Sequence, residues 1–211
     1  MKIIINILII TIFVVEAIYP NGNIYLKLGS GSINAELTNF KISGDNYASL
    51  EGDGIAEGYA EIGYKTRKSK LSDLGMVRYR IFAGGYAGDD TEALGAEYGI
   101  YSLGAGIDGD ISNNANLYYT IDIIYSVEFT DYEDFRLGSS GEIYSYGADD
   151  SYTGYGIGIG YIFNKNISLE LKYKNHNGVH FSEFPDGVLG WWEFDYKRSG
   201  IYGMLNVQIE I

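Results

Sequence analysis

The chain has 211 residues and a formal net charge of −13, which excludes the basic footprint of a nucleic-acid binder. It has no cysteine, which excludes a disulfide framework, a lipoprotein anchor and a thiolate metal site. Its 29 glycines and 21 tyrosines, with abundant isoleucine, favour pleated strands, and past residue 17 no apolar run approaches a membrane helix.

The first element is a targeting segment. Lys2 supplies a positive start, Ile3 to Val15 an apolar core, and Val15-Glu16-Ala17 a small-residue cleavage pattern. Residues 1–17 are therefore read as an export signal, and residues 18–211 as the folded domain.

Strand one follows, with Ile24, Leu26 and Leu28 on one face and Tyr25 and Lys27 on the other. Residues 30–53, rich in Gly, Ser, Asn and Asp, read as a long loop. Strand two sets Ala56, Ala60, Ile62 and Tyr64 against Glu57, Glu61 and Lys65. After the polar connection 67–73, strand three sets Val77, Tyr79, Ile81 and Ala83 against Arg78, Arg80 and Phe82. Strand four changes phase between Ile100 and Leu103, which predicts a bulge near 101–104.

The clearest alternation lies in strand five. Leu117, Tyr119, Ile121, Ile123, Tyr125, Val127 and Phe129 alternate with polar residues that include Asp122 and Glu128. Residues 130–151 read as a second long loop. In strand six, Tyr155, Ile157, Ile159, Tyr161 and Phe163 alternate with Gly154, Gly156, Gly158 and Gly160. Strand seven sets Ile167, Leu169, Leu171 and Tyr173 against Glu170, Lys172 and Lys174. A third long loop, 175–196, leads to a closing strand that alternates from Ile201 to Ile211.

This predicts an all-β fold, an eight-stranded antiparallel up-and-down transmembrane β-barrel with short turns at one end and long loops at the other. The charges assign its faces. Every charged residue of these strands lies on one face, and the opposite face carries bulky Ile, Leu and Tyr, more than eight tilted strands could enclose. The apolar face therefore meets lipid, and aromatic belts are expected at two levels. Tyr64, Tyr119, Tyr161 and Phe163 form one belt, and Tyr125, Phe129, Tyr155 and Tyr173 the other. Inside, Glu61, Arg78, Arg80, Asp122, Glu170 and Lys172 are expected to form a salt-bridged plug, with Glu61 opposite Arg80, because unpaired buried charges are costly. The strand-six glycines leave room for long side chains from opposite strands.

By these residues the chain resembles the small eight-stranded outer-membrane barrels of the OmpA, OmpX and opacity-protein type. The resemblance rests on the topology, on Gly154 to Phe163, on the 161–166 strand-turn and on the closing strand. It departs from them at Ile211, where such barrels ordinarily end in Phe or Trp. It implies the outer membrane of a Gram-negative-type bacterium, with the barrel-assembly machinery, outer-membrane lipid and lipopolysaccharide as partners. It also implies a monomer at the cell surface with a structural or surface-interaction role, and a porin-like channel is the alternative that conductance would reveal.

Catalytic chemistry has one candidate. His180-Phe181-Ser182, with Glu193 downstream, resembles the His-x-Ser and acid of the outer-membrane lipid A 3-O-deacylases. That resemblance implies a nucleophile at Ser182, a base at His180 and an orienting acid at Glu193. Here Glu183 stands where that family has Asn, and the plain reading of His176 and His180 is a pair of surface-loop histidines. Asp131, Glu133, Asp134, Asp149 and Asp150 could attract Ca²⁺ or Mg²⁺, but their spacing matches no metal loop. No cofactor and no bound metal are expected. Trp191 and Trp192 read as an interfacial anchor.

Overall fold

A strand whose two faces differ in polarity needs hydrogen-bonding neighbours on both edges, and this chain supplies them by pairing each strand with the next. The computed structural model describes residues 22–46, 49–71, 75–90, 96–111, 116–136, 143–183 and 191–210. The expected export signal and the C-terminal Ile211 lie outside them. Eight long strands are described: β1 (Asn23–Ile42), β2 (Leu50–Lys65), β3 (Met76–Asp90) and β4 (Ala96–Asp110). They continue as β5 (Leu117–Arg136), β6 (Ile143–Asn164), β7 (Ile167–Glu183) and β8 (Trp191–Glu210). All neighbours are antiparallel, and β1 pairs with β8 from Asn23 opposite Glu210 to Ile42 opposite Trp192. The sheet therefore closes on itself and leaves no free edge.

The outer surface is apolar around its middle. Ile123 is 76% exposed, Leu171 54% and Ile159 55%, whereas Glu61, Asp122 and Glu170 are each 1% exposed on the inner face. This is the inverse of a water-soluble barrel. On β6, Tyr155 and the pair Tyr161 and Phe163 bracket Ile157 and Ile159. At about 3.3 Å per residue and a tilt of about 40°, Tyr155 to Phe163 covers roughly 20 Å of height, close to an apolar membrane band. Tyr173 lies tilted against Tyr155 with ring centres 6.4 Å apart, and Phe163 meets Tyr161 at 5.2 Å. Tyr64 is an exception to the expected belts. It is buried, and its hydroxyl accepts a hydrogen bond from the Gly22 backbone at 2.8 Å. Val77, expected outward, is also buried, beside the two-residue strand Ser69–Lys70.

Several expectations are corrected. The segments read as long loops are mostly strand: β1 runs to Ile42, β5 to Arg136, β6 begins at Ile143 and β7 runs to Glu183. Strands of 15 to 22 residues exceed the roughly 10 needed to cross a bilayer, so the excess projects from one end as paired ribbons. Outside the apolar band nothing selects for alternating hydrophobicity, and the strand signal disappears from the sequence. The bulge expected near 101–104 is absent. β4 keeps unbroken register with β3 and β5, which turns Ile100 inward, where it is buried. A bulge occurs instead in β1 between Thr38 and Lys41, where Asn39 adopts a φ of 51°. Arg80 lies across from Lys65, not Glu61, because Ser69 and Lys70 still pair with Val77 and Met76 and the hairpin turns later.

Candidate functional site

The lumen holds the chemistry, and its side chains come from alternate positions of every strand. At mid-height, Lys27 Nζ lies 3.0 Å from Glu170 Oε1 and 3.4 Å from Glu61 Oε1. Lys172 Nζ lies 2.7 Å from Glu170 and 2.6 Å from Asp122. The Arg80 guanidinium reaches Asp108 at 3.0 Å and Glu61 at 3.6 Å, and also engages Asp122 and Thr120. Lys65 Nζ meets Asp108 at 2.9 Å. Three tyrosines complete the shell. Tyr25 donates to Glu61 at 2.7 Å, Tyr59 donates to the other Glu61 oxygen, and Tyr118 donates to Glu170 at 3.0 Å.

Four cations (Lys27, Lys65, Arg80, Lys172) thus face four carboxylates (Glu61, Asp108, Asp122, Glu170), so the cluster is electrically balanced. Balance matters here, because each charge has left water and only its partners compensate that cost. Of the interior residues singled out in the sequence, Glu61, Arg80, Asp122, Glu170 and Lys172 meet in this cluster. Arg78 does not. It lies across from Asp108 in register, but Arg80 and Lys65 already hold that carboxylate.

The β6 glycines leave the space this cluster fills. A Cβ at Gly156 would sit 3.2 Å from both Asp122 Oδ2 and Lys172 Cδ, and one at Gly160 would strike the Tyr118 ring. The room goes to adjacent strands, not to the opposite wall as the sequence suggested.

Above the network lies an aromatic layer. Lys174 Nζ is 3.3 Å from the Tyr59 ring centre, 4.7 Å from that of Tyr86 and 5.2 Å from that of Tyr202, and it donates to the Tyr86 hydroxyl at 2.9 Å. Ring quadrupoles stand in for a carboxylate there. Glu57 and Arg198 pair alongside, and Tyr202 donates to Glu57 at 2.8 Å. His176 is no surface residue. It is buried on the inner face of β7, edge-on to Tyr86 at 5.6 Å, with Nδ1 3.4 Å from Ser126 Oγ. Beyond this layer, Ile33, Ile55, Ile100, Tyr152, Phe194 and Tyr196 form a dry cap, with Tyr152 and Tyr196 rings 5.1 Å apart.

The proposed catalytic trio is spread across a strand pair. His180 lies across from Phe194 and Ser182 across from Trp192, whereas Glu193 lies across from Phe181. Residues directly opposite share a face, so Glu193 has the parity opposite to His180 and Ser182. Its carboxylate lies 3.7 Å from Lys41 Nζ. Of the acidic residues, Asp131 pairs with Gly147 and Asp149 with Phe129, within the β5–β6 ribbon and not in a loop.

Sequence reading placed Lys27 and Lys65 on the charged face but not in the interior network, and it left Asp108, Lys174, Arg198 and His176 out of the interior site as well. Lys174 was already on the charged face, and an unbroken parity count from Ile107 would have turned Asp108 inward. His176 was lost because strand was read as loop, and Arg198 because the closing strand's alternation was read only from Ile201 onward.

No protein-family model matches this chain, and no curated protein matches it. Solved structures do. Neisserial surface protein A superposes with a TM-score of 0.54 at 13% identity, over 88% of this chain and 97% of that one. The outer membrane protein AlkL, determined in lipid bilayers, superposes with a TM-score of 0.52 at 13% identity, over 92% of each chain. The fold is that of a small outer-membrane barrel. With it come the strand number, the closure and the apolar outer girdle described above, but no activity.

Proposed function

We propose that the protein is a sealed outer-membrane scaffold that holds its paired strand extensions at the cell surface for contact with other molecules. The carrying observation is the lumen: a balanced ion network, an aromatic layer and an apolar cap stand in series across it. An eight-stranded barrel is just wide enough for its own side chains to fill, so such a lumen suits an anchor better than a channel. Lipid and lipopolysaccharide contact the girdle, the barrel-assembly machinery inserts it, and the paired strand extensions, the acidic β5–β6 ribbon among them, are offered outward. The chain works as a monomer in this reading. Purified protein in a planar bilayer is expected to give no large, steady conductance steps, and such steps would replace the scaffold with a porin.

Lipid A deacylation is the weaker reading, because Glu193 is at the wrong parity to orient His180. Replacing Ser182→Ala in the producing cell is expected to leave lipid A acylation unchanged. A changed acylation pattern on mass spectrometry would reinstate the esterase.

A further inference from the structure

Below the ion network, at the short-turn end, the lumen opens into a vestibule of about 220 Å³. Its wall includes Lys65, Arg78, Tyr118, Lys165, Asn206 and Gln208. At about 30 Å³ per water it has room for roughly seven waters, enough for a phosphate with a short polar substituent but not for an oligosaccharide.

Two features of that wall have no use within the fold. The first is Arg78. The network above is already balanced, and Asp108, its cross-strand neighbour, is occupied by Arg80 at 3.0 Å and Lys65 at 2.9 Å. Among the described residues Arg78 has no hydrogen-bond or ion-pair partner. The second is Asn206, 3% exposed. Its Nδ2 donates to Ser168 Oγ at 3.1 Å, which leaves Oδ1 as a buried acceptor with no donor. Lys165, in the β6–β7 turn, adds a positive charge on another side of the cavity. A planar carboxylate would engage the Arg78 fork alone, whereas tetrahedral phosphate oxygens can meet cations on two walls.

We propose that this vestibule binds a small phosphate ester carrying a hydrogen-bond donor, with its phosphate on Arg78 and Lys165 and its amine or hydroxyl on Asn206 Oδ1. The ester could be a free solute or the headgroup of a phospholipid, since both present this chemistry.

The test uses the full chain in maltoside micelles free of phosphate, followed by calorimetry and ³¹P resonance. O-phosphoethanolamine is expected to bind saturably, and ethanolamine alone not to bind. Arg78→Gln is expected to weaken O-phosphoethanolamine about tenfold, the loss of one charge-assisted contact. Asn206→Leu is expected to weaken O-phosphoethanolamine while leaving inorganic phosphate unaffected, which a merely misfolded barrel would not do. Unchanged heat-modifiable migration on gels checks that both variants are closed. Dihexanoyl phosphatidylethanolamine, below its micelle concentration, separates the sources: tighter binding than the soluble ester assigns a lipid headgroup, and weaker binding assigns a free solute. Absence of saturable binding, or equal affinity for the parent and Arg78→Gln, overturns the proposal.

Discussion

Arg80 is the residue on which the interior converges. Its guanidinium addresses Asp108, Glu61, Asp122 and Thr120 from one planar fork, and it is 2% exposed. Buried ion pairs add little net stability compared with apolar packing, but breaking one leaves an uncompensated charge. Arg80→Met therefore leaves three cations against four carboxylates, one buried negative charge uncompensated, and a destabilisation of about 3–5 kcal/mol is expected from urea unfolding in lipid vesicles. Arg80→Lys is expected to recover only part of that loss, because a point ammonium cannot span partners on β2, β4 and β5. A loss under about 1 kcal/mol would mean that solvent reaches the cluster. Much of this interior was legible at the residue scale. Glu61, Arg80, Asp122, Glu170 and Lys172 shared the polar parity of strands with a clean period of two. Partner identities were not legible, because they depend on hairpin register, and the Ser69–Lys70 pairing put Lys65 rather than Glu61 directly across from Arg80.

At the scale of the element, each long strand has two regimes. Within the girdle, lipid demands an apolar residue at every second position, so strands five to eight could be read almost directly. Above it the same strand continues with water on its outer face, and polar residues such as Ser30, Ser32 and Asn34 on β1 satisfy it equally well. That is why the extensions looked like loops. Strand β6 tests where the change occurs, because Ile157 lies inside the tyrosine bracket and Ser151 beyond it. Ile157→Arg is expected to cost about 2–4 kcal/mol of folding free energy in bilayers, and Ser151→Arg about 0–1 kcal/mol. Equal costs would move the membrane boundary or remove the membrane. The phase change in β4 misled for a related reason: Ile100, an apolar residue, faces inward because it belongs to the dry cap and not to the girdle.

For the whole molecule, closure is redundant. The ion network, the aromatic layer around Lys174 and the cap of Ile33, Ile55, Ile100, Tyr152, Phe194 and Tyr196 stand in series. Conductance through barriers in series is set by the tightest one, so removing a single layer opens nothing. Tyr152→Ala with Tyr196→Ala thins the cap alone, and this variant is expected to stay silent in a planar bilayer. Adding Tyr59→Ala and Tyr86→Ala thins the aromatic layer as well and leaves Lys174 only the Tyr202 ring. The ion network still spans the lumen from six strands, so this fourfold variant is also expected to pass no steady current. Only a further change within the network, such as Lys172→Ala paired with Asp122→Ala to keep charge balance, should give steps whose size rises with salt. Current through the cap variant alone would place the only seal at the apolar end, leaving the buried charges as the lining of a pore.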